Sequence, residues 1–342
     1  MLFNKAVAII EALKSRDGFF AGSFYWQFWI RDIAFSVNVL LKLGYEEQIK
    51  RFITKVLRTV RKNGEVPTLI PKFNLKRRFL SALSFNWLAY RRRFNRISMK
   101  LTSMWQPLTG DSNVCFLITL KEYVRFTGDE KFWKKNESSV ERIISFIDRN
   151  RDEDGFVAGS GWLDSMHNYY WRKTFLLQVL LYRALKGLRD VRRLKRNLNK
   201  LFWDKELKRY VDIIGGTRVD VLAHAIALQE NLIPEDRVKR VLNYLNVAKT
   251  PIGYVNLFPS LPPNVCGVAR NAYQNSSIWP FVNYELACGM IAVGKRERAT
   301  EVVKKVERLG FSEWYSVDGK SHGSPFMLWN AATYLKYRQV LS

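Results

Sequence analysis

Apolar residues recur along the chain at helical spacing, so helices are the main elements that the sequence predicts. Strand-like alternation is confined to short pieces such as "RYVDII" at 209–214. The helical pattern divides the sequence into twelve segments: 2–15, 29–43, 46–62, 111–127, 130–149, 173–187, 190–201, 218–230, 234–246, 275–293, 295–309 and 324–340.

These segments alternate between two kinds. One kind is apolar nearly all round, as in "FLLQVLLYRAL", whereas the other has one apolar stripe and a charged face, as in "KRERATEVVKKVERLG". Helices that are apolar all round are buried, and helices with a single apolar stripe lie at a surface. Six of each kind in alternation predict two concentric rings. The predicted fold class is therefore all-α, an (α/α)6 toroid of about twelve helices, with residues 1–342 forming a single domain.

Two stretches depart from the helical pattern. Residues 247–273 are rich in Pro, Gly and Asn and are expected to form a loop. Residues 63–110 form a long insertion, and loops of this length in a compact domain usually carry a function. The insertion is basic, and aromatic and apolar residues separate its charges: Lys76, Arg77, Arg78, Arg91, Arg92, Arg93 and Arg96.

The net charge of +25 indicates contact with something anionic, although a basic surface can also serve solubility alone. We interpret the insertion first as a lid whose apolar middle packs on the barrel. An anionic membrane surface or a lipid-linked glycan is the second interpretation. Single-stranded nucleic acid is the third, because no recognised binding module accompanies the charge. The sequence assigns no oligomeric state.

Three isolated cysteines, Cys115, Cys266 and Cys288, suggest neither a disulfide framework nor a zinc site. The three histidines have no metal-ligand spacing, and the chain has no P-loop, no dinucleotide fingerprint and no G-x-S-x-G. We therefore predict no metal and no cofactor. No stretch reaches the ~18 apolar residues of a membrane span, and no signal peptide is convincing. The expected location is the cytoplasm, either free or at the periphery of a membrane.

Aromatic and polar residues cluster at or just before the starts of the buried helices. If these helices run parallel, the clusters share one rim of the barrel and line a single pocket. Flat aromatic faces beside forked polar groups are typical of a carbohydrate site. The clusters are "YWQFWIRD" (25–32), "WQPLTGDSN" (105–113), "GWLDSMHNYYW" (161–171), "YQNSSIWP" (273–280) and "FSEWYSVDGKSHGSP" (311–325).

Two carboxylates in these clusters fit the pair that glycoside hydrolysis requires, one protonated and one ionised. Asp164 lies among aromatic residues, whose low-dielectric surroundings favour the protonated form, and Glu313 fits the base that activates water. Asp32 follows Arg31, which we expect to keep it ionised, and Asp111 resembles a helix N-cap. Each motif alone has a structural interpretation as a cap or an ion pair. Their occurrence together at matched helix starts favours the catalytic one.

At these residues the chain resembles the (α/α)6-barrel glycoside hydrolases, nearest to the glucosidase domain of glycogen-debranching enzymes (amylo-α-1,6-glucosidase) and to glucoamylase-like glucosidases. The resemblance runs from about residue 25 to residue 340. It implies that the W-x-D motif carries the general acid, Asp164, and that the Glu of "SEWY", Glu313, is the general base. The residues that would contact substrate are Trp29, Arg31, Asp32, Asp111, Trp162, Gln274, Asn275, Trp279 and Trp314.

The sequence thus predicts an inverting, exo-acting glycoside hydrolase, of α-glucosidase type, that acts on a terminal sugar of a small or terminal glycoside. Its expected partner is a carbohydrate substrate. A non-catalytic barrel that binds a glycan or a polyanion through its basic insertion is the alternative. Another chemistry on the same fold, such as a lyase or an epimerase, is a third interpretation. The small number of histidines disfavours that third interpretation.

Overall fold

The computed structural model describes residues 2–71 and 109–341. These residues form twelve helices of nine residues or more, and each of the twelve predicted segments overlaps one of them. A four-residue turn, Pro263–Cys266, and two 3₁₀ turns, His167–Tyr169 and Leu245–Ala248, complete the helical structure of the described chain. The helices are α1 Leu2–Leu13, α2 Ile30–Lys42, α3 Glu46–Leu57, α4 Ser112–Thr127, α5 Glu130–Arg149, α6 Phe175–Leu185, α7 Arg192–Leu201, α8 Val221–Gln229, α9 Glu235–Tyr244, α10 Pro280–Ala292, α11 Arg296–Val306 and α12 Leu328–Leu341.

The even-numbered helices form an inner ring. Most of their residues are buried, whereas the odd-numbered helices bury only one stripe of residues each. Around the ring, α2 packs against α4, α4 against α6, α6 against α8, α8 against α10 and α10 against α12. The ring closes because α12 packs back against α2. The predicted (α/α)6 toroid is therefore confirmed, and its physical cause is the alternation of apolar and amphipathic helices.

Twelve short strands of the described chain pair into six antiparallel two-stranded ladders. Two ladders border the inner rim: β3–β4 sets Phe28 opposite Ile70, and β11–β12 sets Trp314 opposite His322. The predicted strand at 209–214 contains β6. The strands are β1 Lys14–Ser15, β2 Gly18–Phe19, β3 Gln27–Trp29, β4 Leu69–Pro71, β5 Trp203–Asp204, β6 Arg209–Tyr210, β7 Val219–Asp220, β8 Lys249–Thr250, β9 Gly253–Tyr254, β10 Leu257–Phe258, β11 Trp314–Tyr315 and β12 Ser321–His322.

Four inner helices carry a buried amide near their first turn. Asn113 accepts from Val66 N at 3.0 Å, and Asn330 accepts from Phe281 N at 3.0 Å. Gln178 on α6 and Asn283 on α10 bind backbone groups of the preceding loops in the same way. Buried backbone groups need such partners, because leaving one unpaired costs about 1–3 kcal/mol. The amides therefore fix loops that approach the rim and, through Phe281 N, the first turn of α10.

Several inner helices start later than the apolar pattern predicts. The segment 275–293 becomes helical only at Pro280, and the residue before it, Trp279, is extended with φ −110° and ψ 118°. A proline disfavours helical geometry in the residue before it and fits the first turn of a helix. The polar residues at 273–279 consequently lie in an approach loop, from which their side chains can reach the rim.

Most of the basic insertion, residues 72–108, lies outside the described residues, and so do the basic side chains from Lys76 to Arg96 on which the lid and surface interpretations depend. Within the parts that are described, no helix is long and apolar enough to cross a membrane.

Candidate functional site

A cavity opens at the rim where the approach loops of α2, α6, α10 and α12 meet. It encloses about 440 Å³ of space, part of it open to solvent. Three carboxylates, Asp32, Asp164 and Glu313, line it together. Four of the six inner helices therefore present their N-terminal ends to this cavity. The full lining is Ala21, Tyr25, Trp29, Arg31, Asp32, Asp164, Tyr273, Gln274, Trp279, Glu313, Met327 and Trp329.

Arg31, the second residue of α2, is buried and joins three elements. Its Nε donates to Asp111 Oδ2 at 2.5 Å, one Nη donates to Asp164 Oδ2 at 3.1 Å, and the other donates to the carbonyl of Gly161 at 2.9 Å. Although burial opposes it, the negative charges of Asp111 and Asp164 raise the pKa of Arg31 above its ordinary value. Arg31 is therefore a fixed cation in the wall of the cavity.

Asp111 occupies the N-cap position of α4, as predicted, but its side chain makes no capping bond within the described chain. The carboxylate turns instead to Arg31, from a position one layer behind the cavity lining. The capping interpretation of Asp111 is correct in position and wrong in contact. A guanidinium offers a charged donor, which outweighs a neutral backbone N–H.

Asp164 is clamped from two sides. Gln274 Nε2 donates to its Oδ1 at 3.0 Å, and Arg31 donates to its Oδ2. Gln274 is itself held, because its Oε1 accepts from the N and Oγ of Ser165 at 2.9 and 2.6 Å. The Tyr170 hydroxyl donates to the backbone carbonyl of Asp164 at 2.8 Å. The sequence suggested aromatic surroundings alone; the structure adds a cation and an amide that orient both oxygens.

Glu313 lies directly before β11 and is buried. The Tyr25 hydroxyl donates to both of its oxygens at 3.0 Å, and Ser324 N donates to Oε2 at 2.9 Å. Burial raises the pKa of Glu313 above its ordinary value, while Ser324, Tyr25 and Tyr273 oppose that effect and the charge of Asp164 adds to it. The carboxylate is thus held in one orientation, facing the cavity.

Asp32 is buried in the cavity wall, and its Oδ1 has no hydrogen-bond partner among residues 2–71 and 109–341. Burial raises its pKa to about 8; Arg31 opposes the shift, and the charges of Glu313 and Asp164 reinforce it. The expectation that Arg31 keeps Asp32 ionised is therefore wrong. Consecutive residues of a helix point about 100° apart, so the guanidinium reaches Asp111 and Asp164 rather than its neighbour.

An aromatic cluster forms the inner end of the cavity. Trp162 packs edge-on against Trp279 and Phe281, with ring centroids 5.1 and 5.3 Å apart, and Phe281 stacks on Trp329 at 4.2 Å. The indole nitrogens of Trp29 and Trp329 are buried and have no partner in the described part of the chain. The cavity thus ends in an apolar wall that still offers N–H donors.

Four of the predicted contact residues lie outside the lining: Asp111, Trp162, Asn275 and Trp314. Asn275 is fully buried and its amide binds the backbone of the 261–269 loop, including Leu261 N at 2.7 Å. Trp314 stacks on His322 at 4.2 Å beside Tyr273. Trp162 also lies behind the lining, within the aromatic cluster.

Five residues of the lining are absent from the predicted set: Ala21, Tyr25, Tyr273, Met327 and Trp329. Tyr25 and Tyr273 are the first residues of two clusters that the sequence identifies. Their position near the rim was therefore predicted, but their contact with Glu313 was not. Trp329 lies in an inner helix whose apolar pattern marks it as core. Among the residues that the structure describes, no group of three or more His, Cys, Asp or Glu is arranged to hold a metal ion.

Comparison with known proteins supports the fold. No protein-family profile matches the chain, and no curated protein is detectably similar in sequence. A solved structure of GH63 mannosylglycerate hydrolase from Thermus thermophilus in complex with glucose is similar at a TM-score of 0.74 and 14% identity, over 99% of this chain and 100% of that one. A glycosidase variant in complex with glucose gives 0.66 and 14%, over 99% and 96%.

A GH78 rhamnosidase of Bacillus sp. GL1 is similar at a TM-score of 0.66 and 17% identity, over 97% of this chain but only 34% of its own. All three likenesses span nearly the whole of this chain, and all three structures are glycosidases by name. At these low sequence identities, the similarity shows that the folds are alike and nothing more. The chain therefore has the (α/α)6-barrel fold that these glycosidases share.

Proposed function

We propose that the protein is an inverting, exo-acting glycoside hydrolase of α-glucosidase type, which removes a terminal sugar from a small or terminal glycoside. One observation carries the proposal: Asp164 and Glu313 face a common cavity, each fixed by its own set of donors. Carboxylates that serve only as caps or ion pairs do not need to converge on an open space.

In the proposed reaction, Asp164 gives its proton to the glycosidic oxygen as the bond from that oxygen to the anomeric carbon breaks. Glu313 takes a proton from a water whose oxygen bonds to the opposite face of the anomeric carbon. One proton leaves Asp164 and one reaches Glu313, and the product has the inverted configuration. Glu313 must be ionised for this step. Since burial raises its pKa, we expect activity to fall at acidic pH sooner than for an exposed glutamate.

The remaining lining groups would hold the sugar. Asp32 and Gln274 offer acceptors and donors, and the unpartnered indole nitrogens of Trp29 and Trp329 add two N–H donors within the described part of the chain. Trp279 supplies an apolar face. The aromatic wall at the inner end of the cavity favours cleavage from a chain end over cleavage within a chain.

The names and bound molecules of the solved structures favour a small substrate. The Thermus enzyme is named a mannosylglycerate hydrolase, and its structures hold glucose, or Tris with D-glycerate. The lining of the cavity, which sets carboxylates beside indole rings, suits a sugar-sized group. Glucosides and mannosides of glycerate therefore belong in a substrate panel beside aryl glycosides and malto-oligosaccharides.

The test is hydrolysis of this panel by the wild type and by Asp164→Asn and Glu313→Gln. A general acid or base typically contributes about 10²–10⁴-fold, so each variant should lose at least ~100-fold in kcat. NMR of the first product should show inversion. The control is Asp212→Asn, another buried aspartate, which accepts from Tyr169 outside the cavity and should keep most of the activity.

Retained configuration, or activity that both variants keep, would contradict the mechanism. Glycan binding by the wild type without hydrolysis of any panel member would favour the non-catalytic alternative.

A further inference from the structure

Arg31 is shared by two carboxylates that come from different elements. Asp111 stands at the start of α4 and Asp164 in the loop before α6, and both bind the same guanidinium. A carboxyl group that must hold a proton is poorly served by a cation at 3.1 Å, because an adjacent positive charge favours the ionised form. The role proposed for Asp164 therefore requires another charged group that weakens the electrostatic effect of Arg31 on its carboxyl group.

The two contacts of Arg31 are unequal. The distance from Arg31 Nε to Asp111 Oδ2 is 2.5 Å, whereas the distance from Arg31 Nη1 to Asp164 Oδ2 is 3.1 Å. The side chain of Asp111 is only 2% exposed, and that of Asp164 is 21% exposed. Coulomb attraction grows as distance and solvent screening decrease. The positive charge of Arg31 is therefore directed chiefly to Asp111, and its contact with Asp164 serves more for orientation.

We propose that Asp111 is a positioning residue for the general acid: by neutralising Arg31, it lets Asp164 keep both its place and its proton. This inference rests on the proposed function, and it moves Asp111 from the predicted set of substrate contacts to a role that it exerts through Arg31. Asp111 does not line the cavity, which agrees with an indirect role.

Other charged or titratable groups also act on this network. From α2 come Arg31 itself and Asp32, from α4 Asp111 and Cys115, and from the loops Tyr25, Tyr170, Tyr273 and Glu313. Among these, Arg31 is the cation in direct contact with Asp164. Asp32 and Glu313 are unchanged in the Asp111 variants, so they do not obscure the effect of changing Asp111.

The first test is the pH profile of kcat/KM for Asp111→Asn. Its alkaline limb reports loss of the proton from the general acid. Removing the negative charge of Asp111 leaves Arg31 to act on Asp164 alone, so this limb should move to lower pH by about 1 unit. Below the limb, kcat/KM should fall by less than it does above the limb. A purely structural role would instead lower activity equally at every pH and leave the limb in place.

Arg31→Gln combined with Asp111→Asn removes both charges and leaves a neutral pair. The alkaline limb of this double variant should return to within about 0.3 unit of wild type, even though its activity is low, because no net charge then acts on Asp164. The double variant also serves if Asp111→Asn alone does not fold. Asp212→Asn, which has no contact with Arg31, should leave the limb unmoved. A limb that does not respond to Asp111→Asn would overturn the proposal.

A measurement without substrate separates this inference from the proposed function. The carboxyl carbon of Asp164, assigned by its loss in Asp164→Asn, can be titrated by ¹³C NMR in wild type and in both Asp111 variants. We expect its midpoint to fall by about 1 pH unit in Asp111→Asn and to recover in the double variant. If the wild type hydrolyses nothing but this shift appears, the proposed function fails and the charge relation stands. Equal midpoints in all three proteins would refute it.

Discussion

The orientation and the charge state of Glu313 depend on a few hydrogen-bond donors. Its two oxygens face the Tyr25 hydroxyl, and one of them also accepts from Ser324 N. These donors stabilise the ionised form, whereas burial favours the protonated one. The balance between them sets the pH at which the proposed base becomes active.

Tyr25→Phe removes one of these donors and keeps the ring. The pKa of Glu313 should then rise, because a hydrogen bond to its charged form is lost, and the acidic limb of kcat/KM should move up by about 0.5–1 pH unit. Above the limb, activity should recover toward the wild-type value. The matched control is Tyr170→Phe, since that hydroxyl donates to the backbone of Asp164 rather than to Glu313. An equal shift in both variants would argue against a specific role for Tyr25.

Asp220 gives a residue-scale effect on stability. It caps α8 by accepting from Ala223 N at 3.0 Å, and burial raises its pKa to about 7. The folded state thus holds the proton more tightly than the unfolded chain, where the pKa is about 3.9. This contribution to stability is complete below about pH 4 and is lost as the pH rises toward 7.

Asp220→Asn keeps the cap and removes the titration. We expect the variant to gain stability over wild type between pH 5 and pH 8, as measured by urea unfolding midpoints. Asp129→Asn is the control: Asp129 caps α5, and its pKa is lowered by the bond from Lys50. Its effect should be the same at both pH values, because the carboxylate is ionised at both. A parallel pH dependence for Asp220→Asn and wild type would contradict the assignment.

At the scale of elements, the β11–β12 hairpin positions the proposed base. Gly323 follows β12 with φ +73°, and a methyl group there would lie 2.8 Å from both Cβ and Cδ of Glu313. Only glycine lets the backbone pass so close to this side chain. The hairpin and the carboxylate are therefore packed as one unit.

Gly323→Ala should displace Glu313 and lower kcat/KM by at least about 100-fold. Gly319→Ala is matched to it, because Gly319 lies in the same hairpin with φ +88° but has open space, with Ile252 Cδ1 at 3.8 Å. Both variants carry the strain of a left-handed backbone, about 1–2 kcal/mol, and Gly323→Ala adds the clash with Glu313, so its melting temperature should fall at least as far as that of Gly319→Ala. If the two variants lose activity alike, strain alone explains the loss.

The helices were predicted well from the sequence because the spacing of apolar residues within each segment determines whether that segment forms a buried or an amphipathic helix. Alternating apolar and amphipathic segments predicted both rings, and the clusters before the inner helices predicted the rim. Contacts between distant residues were not predictable in this way. Arg31 reaches Asp111 and Asp164, which lie 80 and 133 residues away, and local context suggested instead a pair with Asp32. Asn275 likewise belongs to a polar cluster, yet its amide turns to a loop rather than to the cavity.

At the scale of the whole molecule, the outer ring carries many of the basic side chains on its exposed faces. The net charge of +25 is spread over 342 residues, and outer helices such as α7 carry several basic residues on their exposed faces. Like charges at this density repel one another and oppose the compact state. The fold must therefore be stable enough to withstand its own electrostatic repulsion.

Salt should relieve this repulsion. Raising NaCl from about 0.01 M to 1 M shortens the screening length from about 30 Å to 3 Å, so the midpoint of thermal unfolding should rise by several degrees. KCl at the same ionic strength should give the same increase, because screening does not depend on the identity of the ion. A midpoint that falls with salt would mean that surface ion pairs outweigh the repulsion.

The packing of α12 against both α1 and α2 brings the first and the last of the twelve helices together. The inner helices start at the cavity rim, so α12 finishes on the far side, and α1, which leads toward the rim, starts there. A short peptide linking residue 341 to residue 2 would make the backbone circular, and new termini could be opened at Gly128 or Gly294, where an added methyl group would meet nothing within 4 Å. In such circular permutants a different helix is made first, and the cavity is still built from the same loops.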